Sequence, residues 1–114
     1  MTNDLGLFNT NLLKLLIHKM SYLQASALQS SQNVAKADIP EARKKELKPF
    51  EKVVKKTAHG LEMNLNEEHV INTGEQINRE AEVLNLQTLA MDYQSLIHIY
   101  KRYHEMIRVA IGRS

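Results

Sequence analysis

The chain has 114 residues, of which 43% are hydrophobic and 25% charged, with a net charge of +2 and no cysteine. These totals describe one ordinary folded domain and argue against wholesale disorder. They lack the basic excess of a duplex-DNA binder, and they remove disulfides, zinc–thiolate centres and thiol chemistry.

Four glycines and two prolines leave few places to turn, so the composition predicts long helices with few connections. With four Tyr, two Phe and no Trp, the core has to rely on Leu, Ile, Val, Met and Ala. The first helix is expected over about residues 7–37. Leu13, Leu16, Met20, Leu23, Ala27 and Val34 recur at helical spacing, with Ser30 filling one position of the seam. The block Leu12, Leu13, Leu15, Leu16 and Ile17 covers an arc of roughly 200°, about twice the stripe needed to face one neighbour. Lys14 interrupts this run, which is far shorter than the roughly 20 residues of a membrane span. Met1-Thr2-Asn3-Asp4 lacks the positive region of a secretory signal, so no cleaved signal is expected.

Pro40 biases Ile39 away from helix, and a short, partly ordered connector is expected over about 38–72. It is rich in Lys and Glu. A short helix is expected over about 49–58, opened by Pro49. Leu61, Met63 and Leu65 then alternate with Glu62, Asn64 and Asn66, a strand-like period of two.

The last helix is expected over about 74–111. Thr73 and Gln76 fit a capping box, and Glu75, Glu80 and Glu82 precede Lys101, Arg102 and Arg108 in the order that complements a helix dipole. Its apolar seam is Leu86, Leu89, Tyr93, Leu96, Tyr100, Tyr103, Ile107 and Ala110, at spacings that alternate three and four. Ala90, Ile97, Ile99 and Ile111 widen the arc, while Gln87, Gln94, His98, Lys101 and Glu105 hold the opposite side. The fold expected from the residues is all-α, a hairpin of two long terminal helices. Each helix has a second apolar stripe, which is expected to be buried against other chains.

No constellation for chemistry emerges. His18, His59, His69, His98 and His104 form no metal-binding pair, and Ser21, Ser26, Ser30 and Ser31 lack a nucleophile-elbow setting. Four scattered glycines build no phosphate loop, and glutamates interleave with the basic stretch Arg43 to Lys56. The expectation is an interaction protein with no catalytic, cofactor-binding or metal residues, no small-molecule substrate and no nucleic-acid partner.

Asn33-Val34-Ala35-Lys36-Ala37-Asp38-Ile39-Pro40 resembles the N-terminal motif of bacterial flagellar axial proteins, commonly Asn-Ile-Ala-Asn-Ala-Asp-Thr-Pro-Gly-Tyr. Asn33, Ala35, Ala37, Asp38 and Pro40 agree outright and Val34 conservatively, whereas Lys36, Ile39, Glu41 and Ala42 depart from it. Tyr93-Gln94-Ser95-Leu96, followed by Met106-Ile107-Arg108-Val109-Ala110-Ile111, is similar to the C-terminal ending of the flagellar basal-body rod protein B family. The resemblance implies a structural subunit of the rod in the periplasm, exported through the flagellar type III apparatus without a cleaved signal. It implies that the terminal helices pair as an antiparallel coiled coil and pack with copies of the chain and with other rod, ring-junction and export-gate proteins. The helix-pairing and assembly seam then comprises Leu13, Leu16, Met20 and Leu23 with Leu86, Leu89, Tyr93, Gln94, Leu96, Tyr100, Tyr103, Met106, Ile107, Arg108, Ala110 and Ile111. The alternative is a cytoplasmic helical adaptor or chaperone that binds a partner helix through an exposed apolar stripe.

Overall fold

The computed structural model describes residues 2–112, with side chains from Asn11 onward. Two long helices form its frame, α1 (Thr2–Lys36) and α3 (Arg79–Gly112). Between them lie β1 (Arg43–Leu47), the single turn α2 (Phe50–Val53), β2 (Val54–Thr57), β3 (Gly60–Met63), a 3₁₀ turn at Glu67–His69 and β4 (Val70–Gln76). The helices run antiparallel, since Ser30 meets Glu82 while Gln24, earlier in α1, meets Tyr93, later in α3.

The all-α expectation is therefore corrected: the fold is mixed α/β, with two antiparallel two-stranded sheets, β1–β4 and β2–β3. The helix expected over about 49–58 shrinks to α2, because Val54–Thr57 pairs with Gly60–Met63. Ala58 and His59 connect that hairpin without positive φ, and Gly60 takes the left-handed conformation at φ +108°. The last helix starts at Arg79 rather than near residue 74. Thr73 and Gln76 lie in β4, where the Thr73 hydroxyl donates to Lys44 O (2.8 Å). Asn78 caps the helix instead, its Oδ1 accepting from Ala81 N–H (3.2 Å).

Lys45, Glu46 and Leu47 pair in step with Asn72, Ile71 and Val70. Arg43 then pairs with Gln76, so β4 bulges over Thr73–Glu75, where Gly74 supplies φ +73°.

The connector is an ordered layer laid along one face of α1. Asn33, Tyr22, His18 and Lys14 recur at spacings of 11, 4 and 4, which stacks them on one side of a helix. The Asn33 amide contacts both backbone groups of Lys45, and the Tyr22 hydroxyl donates to Lys48 O (2.6 Å). His18 Nε2 lies 3.1 Å from Leu61 O, and Lys14 Nζ donates to His59 O (3.5 Å). α1 thus packs against α3 on one side and against β1 and β3 on another. Leu16, Leu23 and Val53 are the buried apolar side chains among the described residues, while Leu15, Ile17 and Leu28 stay exposed.

Tyr22 anchors the middle of this layer. Its ring meets Phe50 edge-on, with centroids 5.4 Å apart, and the Lys19 ammonium sits 4.7 Å from the Phe50 centroid. Burial raises the Tyr22 pKa above its ordinary value, a hydrogen bond with Ser26 opposes the rise, and Glu51 and Glu46 add to it. The folded state therefore holds this proton more tightly than the unfolded chain does. The stability from this group is present below about pH 10 and is lost as pH rises beyond it. Denaturant unfolding of the natural chain and Tyr22→Phe from about pH 9 to about pH 11 checks this. The stability advantage of the natural chain is expected to shrink across that range, and a constant difference would contradict the assignment.

Candidate functional site

Most of the hairpin seam is apolar, but one end is not. Ser30 on α1 and Glu82 on α3 both fall in the helical register of the seam, and both are buried, Glu82 to 2% exposure. The Ser30 hydroxyl lies within hydrogen-bonding distance of Glu82 Oε2 (2.5 Å) and Glu82 O (3.2 Å), and it accepts from Asn85 Nδ2 (3.4 Å). Lys44 of β1 brings its ammonium to 3.6 Å from the other carboxylate oxygen. A buried carboxylate without a counter-charge is costly, so one cluster requires α1, β1 and α3 to be in place together. These residues border a polar cleft of about 290 Å³ that also meets Lys19, Gln29, Asn33 and Leu89.

The residues shared with the axial motif sit at the same end. Asn33 is 3% exposed and acts as a substitute strand residue: its Nδ2 donates to Lys45 O (2.8 Å), and its Oδ1 accepts from Lys45 N–H (3.2 Å). That closes the free edge of β1 against α1. Val34 and Ala37 are half-buried and Ala35 is exposed. Successive turns reverse the chain, with Ala37 N–H donating to Val34 O, Ile39 N–H to Lys36 O and Ala42 N–H to Ile39 O. Asp38 pairs with Arg79, the first residue of α3, at 2.7 Å, and the Pro40 carbonyl accepts from the Arg43 guanidinium (2.9 Å). The motif is thus a joint that ties the end of α1 to β1 by Asn33 and to α3 by Asp38.

The proposed seam divides. Leu16 and Leu23 are buried, and Leu13, Met20, Leu86, Leu89, Tyr93, Leu96, Tyr100, Tyr103 and Ile107 are half-buried. The Tyr93 hydroxyl accepts from Gln24 across the hairpin (3.1 Å). Gln94, Met106, Arg108, Ala110 and Ile111 are instead exposed. On the far side of α3, Leu84, Met91, Ile99, Met106 and Val109 form an exposed apolar line.

Sequence reasoning missed the roles of Glu82 and Lys44. Glu82 reads as a residue suited to the helix dipole, yet its place four residues before Leu86 continues the seam inward. That register was the available signal. Among the described residues no three metal-ligating side chains converge, and no helix is long and apolar enough to cross a membrane.

Fold and site together define a two-helix hairpin with a β-layer on one helix and a polar joint at one end. Compared with known protein families, curated proteins and solved structures, the chain matches none.

Proposed function

We propose that this chain is a structural subunit of the bacterial flagellar basal-body rod, of the proximal B type. The observation that carries the reading is the position of the axial-type motif. Its two polar members, Asn33 and Asp38, fasten α1 to β1 and to the start of α3, which gives these residues a structural task. The exposed line on α3 supplies surface for neighbours, and a stiff pair of helices packed among others suits torque transmission without chemistry.

In this reading the chain leaves the cytoplasm through the flagellar type III apparatus and assembles in the periplasm. There it contacts copies of itself and other rod, ring-junction and export-gate proteins. Deleting its gene is expected to abolish flagella and swimming, and normal swimming would overturn the proposal. Leu96→Asp, which puts a charge on the half-buried seam, is expected to give the same phenotype. The exposed α3 line also suits a cytoplasmic adaptor that binds a partner helix; retention of the chain inside flagellated cells would favour that reading.

A further inference from the structure

The outer line of α3 is spaced symmetrically about Ser95, and unlike the inner seam it is exposed along its whole length. Taking Ser95 as origin, Met91 and Ile99 stand four residues to either side, Leu84 and Met106 eleven, and Ala81 and Val109 fourteen. Offsets of four, seven, eleven and fourteen share one face of a straight helix. Thr88 and Arg102 fill the seventh positions, and all of these residues are exposed, Met91 and Met106 to 70% and 71%.

A two-fold axis at Ser95 lays each position of one copy opposite its mirror offset in another. Met91 then faces Ile99, Leu84 faces Met106, and the small Ser95 lies where the helices cross. From the geometry we propose that this face docks a second copy of the same chain, antiparallel, with the axis at Ser95.

Charge selects that partner and that direction. In the antiparallel pairing, Arg102 of one copy lies level with Thr88 of the other. Helical side chains lean toward the N-terminus of their own helix. This carries the guanidinium toward the level of Asp92, which flanks the line one turn on, and symmetry makes the contact twice. Among the described residues the internal ion pairs engage Lys44, Glu46, Glu82, Asp38 and Arg79, leaving Asp92 and Arg102 outside those pairs. A parallel pairing in register would set Arg102 against Arg102, which like-charge repulsion disfavours. The dimer is a state of the free subunit and does not rest on the rod reading.

The natural chain has no cysteine, which makes single-cysteine variants informative. Under mild oxidation, Ser95→Cys is expected to cross-link to itself, and Leu84→Cys to Met106→Cys when the two variants are mixed, but neither of these two to itself. In sedimentation equilibrium, Met91→Glu is expected to weaken the dimer by on the order of a hundredfold. Leu28→Glu, an exposed position outside the line, is expected to leave it unchanged. Asp92→Arg and Arg102→Asp are each expected to weaken it about tenfold, and the double variant to restore it. Three outcomes would overturn the proposal: a natural chain that stays monomeric to about 500 µM, Leu84→Cys cross-linking to itself, or charge variants that fail to rescue each other.

Discussion

Asn33→Leu is expected to lower the unfolding free energy by about 3 kcal/mol, the cost of leaving both backbone groups of Lys45 without their partner. The two hydrogen bonds run in opposite directions between one side-chain amide and one residue, so no single donor or acceptor replaces them. Leucine keeps much of the volume and removes the polarity, which isolates the hydrogen-bonding contribution. The edge of β1 would be left to water or to another strand. The thermal midpoint should fall by on the order of 15 °C, and exchange of the Lys45 amide should accelerate beyond the global change. Asn33→Asp keeps the acceptor but sets a buried carboxylate oxygen against Lys45 O in place of the donor, so its loss should be at least as large. A chain that tolerates Asn33→Leu without loss would show that the amide does not hold the β-layer.

Lys44→Met is expected to cost about 2 kcal/mol, because it leaves the Glu82 carboxylate buried beside Ser30 without a positive neighbour. The figure is set below that for a fully buried pair because the Lys44 side chain is 31% exposed. The informative comparison is the double variant. Adding Glu82→Leu to Lys44→Met removes the charge that needed a partner and extends the apolar seam, so most of the lost stability should return. Urea unfolding of both single variants and the double closes the cycle. Additive losses would mean that the two side chains do not act on each other.

The helices were legible because their seams repeat over many turns, and the inward positions from Leu86 to Ile107 follow the spacing. The sheets were not. Arg43-Lys44-Lys45-Glu46-Leu47 has no alternation of apolar and polar residues; it lies in a strand whose edges meet β4 and the Asn33 amide, contacts that are remote in sequence. Thr73 and Gln76 have the spacing of a capping box, but the pairing of Val70–Gln76 with β1 overrides that local preference. Asn78, which does cap α3, was overlooked because the helix was expected to have begun already. Glu82 was missed for another reason: it suits the positive end of the helix dipole, and that local role hid its place in register with the seam. The motif residues Asn33 and Asp38 were noticed by their likeness to a family pattern, but the partners that give them a task, Lys45 and Arg79, emerge only from the folded chain.

The most direct test of the proposed role is mass spectrometry of flagellar basal bodies purified from the organism that encodes this chain. The account predicts that the chain is recovered with the rod, in stable proportion to the other rod subunits. Complete basal bodies that lack it would contradict the account.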